Sequence, residues 1–286
     1  MAVLLIIIKT LVHMVEGTLI KKYNSKHSEG GFIFTAIVSL FSMVFFIITD
    51  KNGLCFPPQI WIYAVLAGIC YFSASIFTYI ALGSGSFALT MLMLSYSLIF
   101  TIVYGIAFLK ESASVFTYIG ILLMLVSIYF VKADGHQKGV KKNITPLWVV
   151  AMIISLCGNG FLGILSRMQQ IRFNDEYTNE FMIICLAISS VVLFVFGLYK
   201  DWGKIIYILR YGGVYAAISG MSNGASNLLG LIVNTMMPIS IVSPLSAGIK
   251  NLISFLFSVF IFREKLGKRQ IIGVLMGTIA LVLFKI

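Results

Sequence analysis

The sequence predicts an all-α integral membrane protein of ten transmembrane helices, arranged as two inverted five-helix repeats. The 286 residues are 59% apolar and only 11% charged, whereas soluble proteins carry roughly 25% charged residues, and the mean hydropathy is +1.01. Long segments such as 52–109 and 112–131 contain no charged side chain. A pattern around Glu111 also returns around Glu264 at an offset of 153 residues. The composition and the uncharged runs predict an integral membrane protein, and the constant offset predicts an internal repeat.

The helices are placed by the breaks between apolar runs. Runs of about 20 apolar residues can cross a hydrocarbon core of about 30 Å as helices. The paired glycines between Gly83 and Ser86 favour a turn, and Pro238 starts a helix more readily than it continues one. The ten predicted helices cover 2–20, 31–49, 59–82, 87–109, 114–132, 147–167, 180–199, 211–234, 239–262 and 268–285.

The two halves carry matching C-terminal patterns. In each half an apolar run ends at a glutamate, and an Ile-Gly-x-Leu helix follows: Glu111 with Ile119, Gly120 and Leu122, and Glu264 with Ile272, Gly273 and Leu275. An odd number of spans in each half makes the halves face opposite sides of the bilayer. We therefore expect a first repeat over 1–132, a connecting loop over 133–146 and a second repeat over 147–286.

The distribution of charge predicts the orientation. The net charge is +11, but the basic residues concentrate in alternate loops beside the spans, a pattern typical of a membrane protein rather than of a nucleic-acid-binding one. By the positive-inside rule the more basic set of loops is cytoplasmic, which places both termini outside. The N-terminus enters an apolar run without a basic segment or a cleavage site, so no removable signal peptide is expected.

The first helix carries ionisable residues on one face. Lys9, His13 and Glu16 fall at i, i+4 and i+7, a spacing that stacks them along the helix. A charged group at mid-membrane costs roughly 2.5–3.5 kcal/mol on insertion scales, so this face should point into the bundle. It could form a buried ion-pair network that locks helices together, or a substrate or proton site. An unperturbed histidine titrates near pH 6.5, so proton-driven exchange and facilitated transport both remain open.

A second intramembrane lysine, Lys250, lies in the middle of the ninth span. Glu16 is the mid-span carboxylate available to it. A Lys250–Glu16 pair could serve assembly, or it could be a gated pair that opens when a substrate binds. By contrast, Glu111 and Glu264 lie at helix ends beside basic residues, where interfacial anchoring or a capping contact is expected.

Polar residues also recur at matched positions of the two halves. Asn223 and Asn227 share one face of the eighth span, and at an offset of 152 they correspond to Tyr71 and Ser75 in the third. Amides at this density exceed what helix packing requires. We therefore expect both faces to line a central site.

No enzyme, cofactor or metal chemistry is expected. The sequence contains no His-Glu-x-x-His or Gly-x-Ser-x-Gly motif and no paired aspartates within spans. The four cysteines, Cys55, Cys70, Cys157 and Cys185, show neither metal-ligand nor redox spacing.

The repeated Glu and Ile-Gly-x-Leu pattern, clearest from Phe262 to Gly273, resembles the EamA-type members of the drug/metabolite transporter superfamily over essentially the whole chain. The end of the first helix, Gly17 to Lys21, is distantly similar to small multidrug resistance proteins. In those proteins a membrane carboxylate precedes the segment that matches Thr18 to Lys21 by five residues, where this chain has His13. Aligning Gly17 with Gly163 places Asn159 at the corresponding position of the second half.

The resemblance implies alternating access to a cavity between the halves. The residues expected to bind substrate there are Lys9, His13, Glu16, Tyr71, Ser75, Asn159, Asn223, Asn227 and Lys250. Two lysines against one glutamate favour an anionic or zwitterionic small solute, such as an amino acid, exported across the cytoplasmic membrane by a monomer or homodimer. A flippase for a phospholipid or lipid-linked sugar, an exporter of cationic drugs and a non-transporting scaffold are the alternatives.

Overall fold

The computed structural model describes residues 2–27, 30–50, 53–110, 114–132, 145–174, 176–236, 239–264 and 266–283. Within these ranges the chain forms α-helices and one short 3-10 helix, Trp202–Lys204, without a strand. The helices are α1 (Ala2–Lys26), α2 (Gly31–Thr49), α3 (Ile60–Ser84), α4 (Phe87–Ser95), α5 (Leu98–Phe108), α6 (Val115–Lys132), α7 (Pro146–Phe173), α8 (Thr178–Asp201), α9 (Ile205–Met236), α10 (Ile239–Phe260) and α11 (Lys268–Leu283). The predicted all-α class is confirmed.

The helices have the length and surface of membrane spans. Among the described residues, six helical segments are long and apolar enough to cross a bilayer. Their outer faces expose large apolar side chains, including Ile48 at 70% and Ile62 at 65% of full exposure. A soluble monomer rarely exposes such continuous apolar surface. The ten-span inverted repeat itself stays a prediction.

One predicted span is interrupted. The sequence predicts a continuous helix over 87–109, but α4 ends at Ser95 and α5 begins at Leu98. The amides of Tyr96 and Ser97 donate to carbonyls three residues back, Met93 at 3.0 Å and Leu94 at 3.2 Å. This tighter i→i+3 pattern is that of a 3-10 turn inserted into an α-helix. An apolar run carries no signal for such a change.

Two helices extend beyond their predicted ends. α1 continues to Lys26 and α7 to Phe173, because the residues after each apolar run include lysine, glutamine and arginine, which are good helix formers. α7 then ends where Asn174 adopts a left-handed backbone with φ 50°. α9 also begins earlier than predicted, at Ile205. The apolar run marks the membrane core and not the helix boundaries.

The main helix contacts run between the N-terminal and C-terminal parts of the chain. α3 packs along α7 and α8, α1 and α2 pack along α9, and α6 packs along α11. Glycines permit these approaches: a Cβ on Gly158 of α7 would lie 2.9 Å from the carbonyl oxygen of Cys70 on α3. Small residues allow helices to pack closely within membranes.

Some predicted features lie outside the described residues. These are Glu111, Pro238 and most of the connecting loop over 133–146.

Candidate functional site

A cavity of about 210 Å³ lies between α1, α2, α3, α4, α7, α9 and α10. A single water needs on the order of 10 Å³ by this kind of measure, so the cavity can hold a small organic molecule. Seven of the nine predicted site residues line it, namely His13, Glu16, Tyr71, Ser75, Asn159, Asn223 and Lys250. Lys9 and Asn227 are not among its lining residues.

Glu16 is held in place by an amide from the other half of the chain. The side-chain nitrogen of Asn223 donates to both carboxylate oxygens of Glu16, at 3.0 Å each. The side chain of Glu16 keeps 13% of its full exposure. Hydrogen bonds to a charged acceptor are stronger than those between neutral groups. The carboxylate is thus oriented at the cavity wall.

Asn223 is in turn fixed by three donors. Its side-chain oxygen accepts from the amide of Asn227 at 3.0 Å, from the hydroxyl of Ser42 at 3.3 Å and from the hydroxyl of Tyr71 at 3.4 Å. These contacts determine which end of the Asn223 amide faces Glu16, because only the nitrogen end can donate. Asn227 therefore supports the site from behind and does not line the cavity.

His13 adjoins the same carboxylate. Its Nδ1 atom lies 3.3 Å from Glu16 Oε2, and its side chain keeps 28% of its full exposure. The i, i+3 spacing on α1 accounts for this contact. His13 and Glu16 together form a pair on which a proton could reside.

Lys250 also lines the cavity. Among the described residues, no carboxylate lies within 4.0 Å of its ammonium group. The Lys250–Glu16 contact expected from the sequence is therefore not formed as an ion pair, although each group lies within electrostatic range of the other. A buried charge without a partner is costly, so this ammonium can bind an anion supplied by a ligand.

Lys9 lies outside the cavity, against α9. Its Nζ would be 3.0 Å from a Cβ placed on Gly230, so the absence of a side chain at Gly230 makes room for it. Within the described part of the chain, Lys9 has no carboxylate within ion-pair distance. It adds positive charge near His13 and Lys250 without contacting the cavity.

The remaining predicted residues, Ser75 and Asn159, each donate a hydrogen bond to the backbone of their own helix. The Ser75 hydroxyl donates to the carbonyl of Phe72 at 3.1 Å, and the Asn159 amide donates to the carbonyl of Ser155 at 2.9 Å. The Asn159 side-chain oxygen stays available as an acceptor at the cavity.

Sequence reasoning missed the wall that α2 contributes. Thr35 and Ser39 line the cavity, and Ser42 bonds to Asn223 beside it. These three residues lie at i, i+4 and i+7, the same spacing that identified the polar face of α1. Thr78 and Tyr79 of α3 and Ser97 at the break after α4 also line it.

Glu264 makes the capping contact expected from the sequence. Its carboxylate accepts from the backbone amide of Phe87 at 2.9 and 3.0 Å, and from the hydroxyl of Ser86 at 2.7 Å. Phe87 is the first residue of α4, so the carboxylate satisfies a free amide at a helix N-terminus. Glu264 also forms an ion pair with Lys21 and accepts from the hydroxyl of Ser258.

These contacts set the charge state of Glu264. Burial alone would raise the pKa of Glu264, but the ammonium of Lys21 and the donors from Ser258 and Phe87 outweigh burial and lower it below the ordinary value. Glu264 is therefore ionised at neutral pH.

The N-terminal part of the chain is similar to a known protein family. Residues 1–133 match the EamA-like transporter family. This confirms, over residues 1–133, the resemblance noted from the sequence, whereas the pattern from Phe262 to Gly273 lies outside the match. The EamA-like match and the apolar helices together indicate a multi-pass membrane protein.

The fold also resembles that of a solved structure over nearly the whole chain. One crystal structure superimposes with a TM-score of 0.59 at 14% sequence identity, covering 99% of this chain and 97% of the other. At that identity the likeness concerns the fold alone. No curated protein matches the chain.

Proposed function

We propose that this protein is a secondary transporter that exports a small zwitterionic or anionic metabolite, such as an amino acid, by alternating access. The observation that carries the proposal is the ammonium of Lys250, which lines the cavity without a carboxylate partner among the described residues. A membrane protein retains a buried unpaired charge where a ligand or a transport step uses it. A solute carboxylate would supply the missing counter-charge.

The opposite charge in the same cavity favours a zwitterion. Glu16, oriented by Asn223, can accept hydrogen bonds from a solute ammonium group, and Lys250 can donate to its carboxylate. Both groups belong to one cavity, yet they are not bonded to each other. A molecule carrying both charges would therefore be held at two points, which fixes its orientation as well as its affinity.

Two structural features support the ten-span inverted repeat. Lys110 and Arg263, 153 residues apart, both adopt left-handed backbone, with φ of 55° and 50°. The conformation is uncommon for residues other than glycine. We therefore propose repeats over 1–132 and 147–286 joined by 133–146.

The helix contacts also follow the symmetry that such a repeat requires. If α4 and α5 count as one interrupted span, the contact of α1 with α9 corresponds to that of α7 with α3, and the contact of α2 with α9 corresponds to that of α8 with α3. The contacts α2–α8, α4–α10 and α6–α11 each correspond to themselves. An inverted pair of five-span units generates this set of contacts.

The orientation and coupling complete the proposal. By the positive-inside rule, the distribution of basic loops supports an orientation with both termini outside the cell. Because the bundle encloses its cavity within one chain, we propose a monomer as the transporting unit. The contact of His13 with Glu16 supports proton coupling, since a proton taken up by this pair would change the charge that faces the solute.

The test is transport by the purified protein in proteoliposomes. Labelled amino acids should exchange across the membrane, and Lys250→Gln and Glu16→Gln should each reduce the initial rate at least about tenfold, since each removes a charge-assisted contact. Lys22→Gln is the matched control, because Lys22 is exposed at the end of α1. A pH gradient should drive wild-type transport but not that of His13→Gln.

The alternatives give different results in the same vesicles. Movement of a fluorescent phospholipid, with no solute transport, would identify a flippase. Transport of a lipophilic cation that Glu16→Gln abolishes would identify a cation exporter. Either outcome would overturn the assignment of a zwitterionic solute.

A further inference from the structure

Residues of three helices converge on one carboxylate near the C-terminal end of α1. Glu264, in the connection between α10 and α11, pairs with Lys21 of α1 and accepts from Ser86 and Phe87 at the start of α4 and from Ser258 of α10. Lys21 also donates to the carbonyl of Gly85 at 2.9 Å. We refer to Lys21, Ser86, Phe87, Ser258 and Glu264 as the Glu264 cluster.

The Glu264 cluster lies directly beyond one end of the cavity. On α1 the cavity lining ends at Ile20, and Lys21 is the next residue. Glu16 lies five residues earlier, about 7.5 Å along a helix that rises 1.5 Å per residue. On α4 the lining includes Met91, one turn after Phe87. The cluster thus occupies the path by which a solute would leave the cavity at this end.

Apolar packing closes the same path beside the charges. The rings of Phe87 and Phe262 are 5.0 Å apart, and the ammonium of Lys21 lies 5.1 Å from the Phe262 ring. Gly17 of α1 faces Phe87 and Met91 so closely that an added Cβ would overlap the end of the Met91 side chain. α1 therefore contacts α4 without a gap at this point.

The charges of the Glu264 cluster favour two distinct states. In the closed state Lys21 and Glu264 keep only 12% and 13% of their full exposure, and each satisfies the other. If the segments separate, water can hydrate both groups and replace the lost contacts. An intermediate in which the pair is broken but still dry would leave two buried charges, which is costly. The pair thus opposes partial opening.

We propose that Lys21 and Glu264 form the gate at this end of the cavity, holding α1 and α4 against the α10–α11 connection until transport requires the cavity to open there. The proposal rests on the proposed transport function. The predicted orientation places this gate on the cytoplasmic side. Its opening would expose Glu16 and Lys250 to the compartment from which an exported solute enters.

Site-directed labelling tests the gate independently of the substrate. In a variant with its four cysteines replaced by alanine, Ser97→Cys introduces one reporter thiol in the cavity wall. A membrane-impermeant maleimide is then applied separately to each face of sealed vesicles. With the gate intact, labelling from the Lys21 face should be slow. Glu264→Gln and Lys21→Gln should accelerate it at least about tenfold, as expected when a few kcal/mol of closed-state stabilisation are lost.

Arg263→Gln is the matched control, since Arg263 is exposed and adjacent to Glu264. A double variant, Lys21→Cys with Glu264→Cys in the cysteine-free background, tests the closed state by locking it. Cross-linking by a short bifunctional maleimide should stop its transport relative to the same variant before cross-linking, and the reagent should not change the rate of either single-cysteine variant.

The outcomes separate the gate from the transport function. If Glu264→Gln and Lys21→Gln label no faster than Arg263→Gln while solute transport continues, the gate is refuted and the transport function stands. Continued transport by the cross-linked double variant would refute it equally. If no solute moves even in the wild type, the transport proposal fails, while faster labelling of the two glutamine variants would still show that the cluster closes this end.

Discussion

Asn223 and Glu16 come from distant parts of the sequence, yet the amide of Asn223 reaches both carboxylate oxygens of Glu16 at 3.0 Å. The sequence predicted each as a direct ligand of the solute. In the structure the side-chain nitrogen of Asn223 donates to Glu16, and its side-chain oxygen accepts from three other groups. Its principal effect on a solute therefore passes through Glu16.

Replacing Asn223 with alanine should weaken solute binding more than it weakens the fold. A hydrogen bond to a charged group contributes about 1.5–3 kcal/mol, so the KM of transport should rise roughly tenfold to a hundredfold, with a smaller change in kcat. Asn179→Ala is the control, because that amide bonds to Asp50 away from the cavity. Equal effects of the two substitutions on KM would contradict a positioning role for Asn223.

Lys250→Met should make the protein more stable and inactive. Replacing a buried ion pair by apolar side chains of similar volume is often neutral or stabilising by about 1–4 kcal/mol, and Lys250 has no ion-pair partner to lose within the described residues. Thermal unfolding in detergent should show a higher Tm for Lys250→Met, with no further rise on adding solute. A lower Tm would indicate that Lys250 stabilises the empty bundle.

The contribution of Glu264 to the free energy of unfolding should be the same at neutral and at mildly acidic pH. The folded-state pKa of Glu264 is lowered from its ordinary value of 4.5, so the stabilisation is fully present above about 4.5 and is lost as the pH falls through the lower folded value. The difference in unfolding free energy between wild type and Glu264→Gln, about 3 kcal/mol for a broken buried pair, should not change between about pH 5 and 8. A difference that declines already near pH 6 would disagree with the lowered pKa.

Gly220→Ala should separate α9 from α2. An added Cβ would overlap the backbone carbonyl of Val38 and lie 3.1 Å from the amide nitrogen of Ser42, and backbone atoms cannot move aside as a flexible side chain can. The Ser42 hydroxyl, which donates to the Gly220 carbonyl at 2.9 Å, should lose that bond. We expect a loss of about 1–3 kcal/mol of stability, as for overpacking in a core.

Gly213→Ala is the matched control on the same helix. Apart from the adjacent backbone of its own helix, no atom of the described residues lies within 4 Å of a Cβ at Gly213, and alanine has the higher helix propensity by about 1 kcal/mol. Thermal unfolding should therefore show Gly220→Ala below the wild type and Gly213→Ala at or above it. Equal Tm values for the two variants would mean that α9 is not packed closely on α2.

The extent of agreement between sequence and structure depends on whether a feature is local. The stacking of His13 with Glu16 follows from spacing on one helix, and the structure has that contact. Lys250 was expected to pair with Glu16 because the sequence offered no other mid-span carboxylate. In the structure the amide of Asn223 donates to Glu16 instead. Tertiary packing decides which of two available partners a side chain reaches, and spacing along one helix contains no information about it.

Lys21 and Ser97 illustrate the same limit. By sequence Lys21 is one basic residue at the end of a span, and only the approach of Glu264, 243 residues later, makes it part of a closed end. The turn at Tyr96 and Ser97 breaks the helix within a sequence that is continuously uncharged and that gives no sign of the break. The polar face of α2 could, however, have been predicted from the sequence, because Thr35, Ser39 and Ser42 have the spacing already recognised on α1.

The helix contacts between the two halves indicate where the chain can be divided. α1 and α2 find their largest contact surfaces on α9 and α8, while α3 finds its largest on α7. In the proposed inverted repeat, each five-helix unit would therefore have its largest contact surfaces on the other unit and not within itself. Separately expressed fragments 1–132 and 147–286 should accordingly reassemble in one membrane.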